Sequence, residues 1–273
     1  MLEIPEAAVL AQQITQKFSG KTIRQVTAAH SPHKLAWYSG DPAAYAGLLA
    51  GKKLGASSAR GGMVEIEAGD AVLLFSDGVN LRWHASPAEQ PPKHQLLLEF
   101  ADGSALSASV AMYGGLLCFQ RGTSDNPYYL VALSKPSPLG EAFTPDYFAG
   151  LFTPEMDKLA LKAFLATEQR IPGLGNGVLQ DILYNARLHP KRKVNTLSSG
   201  QRETLYTAIT ATLRAMTLGG GRDTERDLFG NEGGYATKMS KNTVGKPCPV
   251  CGSLILKEAY MGGSIYTCPG CQI

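Results

Sequence analysis

The chain has 273 residues, 44% of them hydrophobic, and a formal net charge of +3, which fits one large or two medium globular domains with a small extra module. No apolar run approaches the roughly eighteen residues of a membrane span, and the acidic start Met1-Leu-Glu-Ile-Pro-Glu6 has no basic n-region of a secretory signal, so a reducing cytoplasm is the expected compartment. The charge is uneven: from Lys158 onward fifteen Lys and Arg face eight Asp and Glu, whereas residues 1–157 hold eleven against fifteen, so a polyanion is expected on the C-terminal half, with a plain solvated basic surface as the alternative.

In chain order, Ala7, Leu10, Ala11, Ile14 and Phe18 recur at helical spacing and predict a helix over Ile4–Phe18, with Pro5 in its first turn. Strand-like segments follow at 22–27, 63–67, 71–75, 80–84, 95–100 and 105–111, with Asp77-Gly78 and Asp102-Gly103 as hairpin signals. A helix with a β-sandwich or barrel is expected over residues 1–133. The stretch Ser134-Lys-Pro-Ser-Pro-Leu-Gly140 breaks the pattern and reads as the start of a linker, 134–152. Thr153-Pro-Glu-Met156 then reads as a helix start, with Met156, Leu159, Leu161, Phe164 and Leu165 as its apolar stripe. Further helices are predicted over 177–186 and 199–216. This helical domain is placed at 153–236, and a Gly-rich loop, 219–234, leads into a last module at 237–273. The fold class is α+β. No feature calls for self-association, and a monomer is expected.

That last module carries Cys248-Pro-Val-Cys251 and Cys268-Pro-Gly-Cys271, two C-x2-C pairs sixteen residues apart. The spacing can bring four thiolates to the corners of one tetrahedron, the arrangement of a closed structural zinc site, and one Zn²⁺ is expected. Two disulfides are the alternative, disfavoured by a reducing compartment. The fifth cysteine, Cys118 in Gly-Gly-Leu-Leu-Cys-Phe, reads as a buried thiol.

Between the second and third helices of the chain lies Ile171-Pro-Gly-Leu-Gly-Asn-Gly177, a tight turn whose glycines permit close approach and whose following helix offers free N–H groups to an anion. This turn, His189-Pro190 about one helix later, the paired C-x2-C termini and the start Met1-Leu-Glu-Ile-Pro-Glu6 together resemble the formamidopyrimidine-DNA glycosylase/endonuclease VIII family over essentially the whole chain. The resemblance implies a two-lobed fold: an N-terminal β-sandwich carrying a helix, then a helix–two-turn–helix domain with a zinc β-hairpin. It implies double-stranded, damaged DNA as partner, held in a basic cleft with the lesion nucleotide flipped out. Asn176 and Lys162 match the family's phosphate contacts, which position the backbone without reading sequence; helix capping by Asn176 and a solvated Lys162 are the structural alternatives. Lys191, Arg192 and Lys193 add positive charge nearby. Glu3 matches the family's catalytic Glu and Glu6 a second Glu that holds the abasic sugar, although two acids in a first helical turn also complement the helix dipole.

Several departures fall on the chemistry. The family's nucleophile is an N-terminal Pro, and position 2 is Leu here, which disfavours removal of Met1 and leaves its α-amine one residue out of place. The family's lesion-side Lys becomes Gly62, or Asp70 in the other register. Its inserted Arg-Phe pair becomes Met112-Tyr113, which can still wedge and stack, and the arginine of its zinc hairpin becomes Gly263. The loop 221–235, with Arg222, Asp223, Arg226 and Asp227, occupies the place of the lesion-capping loop; Arg222 is expected to contact the everted base, a self-paired loop being the alternative. Two functions follow. The chain is a glycosylase that releases an oxidised or otherwise modified base with doubtful AP-lyase activity, or a catalytically degenerate, zinc-containing lesion-binding protein on the same scaffold. A nucleotide or RNA substrate is the third reading.

Overall fold

The computed structural model describes residues 1–273, which divide into two compact units. One comprises Met1–Leu130 with Glu225–Glu232, the other Val131–Thr224 with Gly233–Ile273. The class is α+β, and no helix is long and apolar enough to cross a membrane.

The first unit begins with α1 (Ile4–Phe18), whose apolar face is buried as the spacing predicts. Nine strands follow: β1 (Ile23–Ala28), β2 (Ala36–Tyr38), β3 (Leu54–Arg60), β4 (Met63–Ala68), β5 (Ala71–Phe75), β6 (Val79–His84), β7 (Leu96–Phe100), β8 (Ala105–Val110) and β9 (Gly114–Gln120), with a short helix α2 (Tyr45–Leu49) after β2. They form two sheets, ordered β1-β7-β8-β6 and β2-β9-β5-β4-β3. Pairing is antiparallel except between β2 and β9. Both sheets and α1 share one core, in which Ile14, Phe18, Ile66, Phe75, Leu98 and Phe100 are almost wholly buried. Cys118 sits in it at 4% exposure, and burial pushes its thiol up to about 11.

Only one of the two Asp-Gly signals makes a hairpin. Asp102-Gly103 joins the paired strands β7 and β8, with Gly103 at φ +86°. Asp77-Gly78 carries the chain from β5 into β6, which lies in the other sheet. Asp77 adopts φ +58°, and the Gly78 N–H donates to the Tyr113 carbonyl at 2.9 Å. The strands β2, β3 and β9 lay outside the predicted set.

The segment 225–232 joins this unit through Leu228 and through the Phe229 ring, which lies 5.9 Å from that of Trp83. Leu228 is fully buried in the sandwich core. Its N–H donates to Gln13 Oε1 at 3.0 Å, and its carbonyl accepts from the Trp83 N–H at 3.0 Å.

The second unit holds α4 (Pro145–Ala149), α5 (Leu161–Ala166), α6 (Asn176–Asn185), α7 (Ser199–Leu218) and the hairpin β10 (Leu256–Tyr260)–β11 (Gly263–Thr267); α3 (Pro127–Ser134) spans the division between the units. The stretch read as linker thus carries a helix of its own. The helix predicted from Thr153 is broken: Pro154–Met156 is a single 3₁₀ turn, and α5 starts only at Leu161. The break has a physical reason. The Leu161 N–H donates to the Arg192 carbonyl at 2.8 Å and the Lys162 N–H to the Pro190 carbonyl at 3.0 Å, so tertiary acceptors take two of the orphan donors of the helix start. α7 opens with a capping box, Ser198 and Gln201 each bonding the other's backbone.

Candidate nucleic-acid interface and metal centre

The glycine turn positions the first group of candidate residues. Gly173 adopts φ +79°, which brings Gly175 to the N-cap of α6 and makes Asn176 its first residue. Asn176 therefore does not cap the helix; its side-chain amide leaves the helix and donates to the Ser264 carbonyl at 3.0 Å. From α5, the Lys162 ammonium reaches the same hairpin and donates to the Tyr260 carbonyl at 2.5 Å. Lys162 is only 5% exposed, and burial lowers its pKa. Gly263 closes the group: a Cβ there would lie 3.6 Å from Lys162 Nζ and 3.7 Å from Asn176 Nδ2. Lys162 and Asn176, which the resemblance assigns to phosphate contact, and Gly263, which stands where the family's zinc hairpin has its arginine, are thus brought together in the second unit.

Gln180, which sequence reasoning missed, holds them. It is 2% exposed, donates to Asn176 Oδ1 at 3.2 Å and to the Ser264 carbonyl at 3.2 Å, and accepts from the Tyr266 N–H at 3.0 Å. Its spacing of one helical turn from Asn176 was the available signal. The neighbouring cations are turned to acceptors in the chain. Lys191 pairs with Glu258, Arg192 donates to Thr196 and Gln201, and Lys193 donates to the Lys158 carbonyl at 2.8 Å. The second unit carries fifteen Lys and Arg against nine Asp and Glu, +6.

The cysteines converge on one point. Their four Sγ atoms lie within 4.8 Å of one another, with Cys248 to Cys271 at 3.8 Å and Cys251 to Cys268 at 3.3 Å. All are free thiols. Thiolates on a tetrahedral metal with bonds near ~2.3 Å stand roughly 3.8 Å apart, so the donor set fits a metal ion. The Tyr184 hydroxyl lies 3.2 Å from Cys248 Sγ. Tyr184, Met239, Ile255 and Tyr266 pack around the cysteines as a small core.

The candidate carboxylates lie at the start of α1, in the first unit. Glu3 is the N-cap residue and Glu6 falls in the first turn; each is 4% exposed. The Leu2 N–H donates to the Asp77 carbonyl at 2.6 Å, and the Met1 α-amine pairs with the Glu225 carboxylate. Beside them the Tyr113 hydroxyl faces Met1 Sδ at 3.8 Å; burial, then the charges of Asp77 and Glu3, raise its pKa. Met112 is 64% exposed. Gly62 sits in the turn between β3 and β4, and Asp70 pairs with Lys52, so neither register places a lysine there.

The loop 221–235 bonds both within itself and to its surroundings. Asp223 accepts from Thr237 Oγ1 at 2.7 Å, Arg226 pairs with Glu232 at 3.0 Å, and Asp227 Oδ1 accepts from the Phe229 and Asn231 N–H groups at 2.9 and 2.8 Å. Arg222 is 2% exposed and bridges to Tyr235.

A β-sandwich entered through a carboxylate-bearing helix, followed by a helical unit whose glycine turn meets a cysteine-held hairpin, is the architecture of helix–two-turn–helix DNA-repair proteins. Residues 1–111 match the formamidopyrimidine-DNA glycosylase N-terminal domain and residues 135–226 the formamidopyrimidine-DNA glycosylase H2TH domain. The chain belongs to the formamidopyrimidine-DNA glycosylase family. It is 30% identical to the formamidopyrimidine-DNA glycosylase of Symbiobacterium thermophilum, over 100% of this chain and 89% of that one. It is 27% identical to that of Cytobacillus firmus over 100% of both. The crystal structure of the MutM (Fpg) protein from Thermus thermophilus is similar at TM-score 0.81, 25% identity, and 99% and 98% coverage. A complex of Lactococcus lactis Fpg with abasic-site DNA shares the fold at TM-score 0.83, 24% identity and 99% coverage of each chain.

Proposed function

We propose that the protein is a DNA glycosylase that excises an oxidised base, grips the DNA backbone through the Lys162, Asn176 and Gly263 surface, and holds one structural Zn²⁺ on Cys248, Cys251, Cys268 and Cys271. The observation that carries the catalytic part is the pair of buried carboxylates, Glu3 and Glu6, at the start of α1. A carboxylate is a group that can take a proton from water. In this reading Glu3 accepts a proton from a water molecule as the water oxygen bonds to the sugar C1′. The N-glycosidic bond breaks, its electron pair leaves with the base, and the base takes up the proton that Glu3 accepted from the water. Glu6 holds the sugar.

Two features favour water over an amine as nucleophile. The Met1 α-amine is engaged by Glu225, and no lysine stands at Gly62 or Asp70. The family likeness supports damaged DNA as the partner. Zinc supplies no step; it holds the hairpin against Lys162 and Asn176.

The test is release of free bases from heavily oxidised duplex DNA, measured by mass spectrometry, with Glu3→Gln alongside. Release by the wild type and none by the variant supports the reading. No release, with DNA binding intact, would instead indicate a lesion-binding protein on the same scaffold. Release by the variant at the wild-type rate would remove Glu3 from the mechanism.

A further inference from the structure

The first unit exposes an aromatic surface that neither the carboxylates nor the phosphate anchor uses. It is built on the parallel pairing of β2 with β9, Ala36 opposite Gly114 and Trp37 opposite Gly115, and on a hydrogen bond from the Gly114 N–H to the Leu35 carbonyl at 3.0 Å. Leu35 lies in the turn just before β2, and Trp37 lies within the strand. They are 45% and 50% exposed. The Trp37 ring lies 5.8 Å from the Tyr113 ring at an interplanar angle of 46°, and the adjoining Met112 is 64% exposed. Single exposed apolar residues need no explanation, but three on two hydrogen-bonded segments, with the half-buried Tyr113 among them, form a patch.

The edge of the patch is basic. No acid occurs between Lys21 and Gly40, while His30, His33 and Lys34 precede Trp37. The His30 ring stacks on His94 at 4.6 Å, and the exposed Lys93 precedes His94 in the chain. Ser31 fixes this corner, its N–H donating to the His94 carbonyl at 3.0 Å and its carbonyl accepting from Gln95 Nε2 at 2.9 Å. Aromatic rings beside cations are the chemistry of single-stranded nucleic acid: rings stack on bases of any identity, and the cations follow the backbone.

We propose that Trp37 and Tyr113, flanked by His33, Lys34 and Lys93, form a stacking platform for unpaired nucleobases, and that this protein works on single-stranded or strand-opened DNA. The inference rests on the reading of the protein as a DNA glycosylase and names its substrate class. Tyr113 alone can fill a gap in a duplex. Trp37 adds a second ring beside it, which is of use where a further base has lost its partner.

The test uses Trp37 as its own reporter. The chain has two tryptophans. Trp83 is covered by Lys17 Nζ at 3.9 Å and by the Phe229 ring at 5.9 Å, so Trp83→Phe leaves Trp37 as the only emitter. Emission is titrated with oligothymidylate, with duplex DNA carrying an unpaired bubble and with fully paired duplex. Affinities are measured in parallel by anisotropy for wild type, Trp37→Ala and Trp37→Phe. We expect Trp37 emission to be quenched by oligothymidylate and the bubble more than by paired duplex. Trp37→Ala should weaken oligothymidylate binding about tenfold, the value of one lost base stack, with Trp37→Phe restoring most of it. Unquenched emission with bound oligothymidylate, unchanged affinity in Trp37→Ala, or no binding of single strands would overturn the platform. So would a Trp37→Ala variant that changes only the sedimentation coefficient, since the patch would then be a contact between copies. Base release, measured on oxidised single-stranded DNA as well as on oxidised duplex, separates the two claims. Release without quenching sinks only the platform, and quenching without release sinks only the glycosylase reading.

Discussion

The Lys162 ammonium and the Tyr260 carbonyl, ninety-eight residues apart in sequence, meet at 2.5 Å. This bond ties α5 to the cysteine hairpin and holds a positive charge where little water reaches it. It joins the metal module to the residues expected to meet phosphate, so metal loss and loss of DNA grip should be coupled.

Lys162→Ala should therefore weaken DNA binding across sequences alike and lower the salt slope by about one, as loss of one phosphate contact does. Burial lowers the lysine's pKa from its ordinary value. The bound, charged form is then lost at a lower pH than for an exposed lysine, so affinity should fall as pH rises toward that value. Lys162→Arg, which stays charged, should abolish that alkaline fall. Salt-dependent titrations at stepped pH values check both points; a pH profile unchanged in Lys162→Arg would exclude Lys162 as its source.

Gly263→Arg should strengthen binding. A Cβ at Gly263 meets nothing closer than 3.6 Å, and the backbone there is not left-handed, so the substitution fits without strain. The salt slope should rise by about one. A variant that folds normally yet binds no more tightly would show that the hairpin turn does not face DNA.

Tyr184→Phe should speed zinc loss. Its hydroxyl lies 3.2 Å from Cys248 Sγ, and removal of such an outer partner costs about tenfold or more in metal affinity. A chromogenic chelator reads the rate of release directly. Zinc removal should unravel the small core of Met239, Ile255 and Tyr266, so circular dichroism and DNA affinity should fall together while the sandwich keeps its own transition.

Glu225→Gln tests the nucleophile. With Met1 retained, its α-amine is engaged in an ion pair with Glu225. Borohydride trapping on abasic DNA should give little covalent adduct with wild type and more with Glu225→Gln. Efficient trapping by the wild type would show the amine to be available.

Asp102 gives an acid-stability signature. Hydrogen bonds from Lys21 and Ser104 lower its pKa to about 2. Its folded value lies below its unfolded one, so the stabilisation is present above the unfolded pKa, near ~3.9, and is lost as pH falls from there toward 2. The side chain is half exposed, so solvent screening keeps the effect small. Asp102→Asn should lower neutral stability by a small amount and flatten the stability profile in that window by the same amount, as acid-titrated urea melts would show.

Local rules account for what could be read before folding. α1 and α7 were readable because a 3.6-residue apolar period needs no distant partner, and the C-x2-C pairs because metal geometry fixes their spacing. β3 and β9 were missed because Leu54-Gly-Ala-Ser-Ser-Ala-Arg60 and the leading Gly114-Gly115 carry few large side chains. Their strand character comes from pairing with β4 and β5, and strand preference depends on such neighbours. The two Asp-Gly turns look alike in sequence, yet one closes a hairpin and the other crosses between sheets. Only the partners of the flanking strands decide that.

The main helices, the cysteine tetrad and the family are written in short-range spacing or in motif order, and so they can be read along the chain without its partners. Other relationships exist only once the chain has folded. Folding sets Lys162, Asn176 and Gly263 against one another, draws Leu228 into the sandwich core so that Glu225 meets the Met1 amine, and lays Trp37 beside Tyr113. Each of these joins residues far apart in sequence. Their geometry follows from which apolar surfaces must be buried together, a quantity that belongs to the folded chain as a whole.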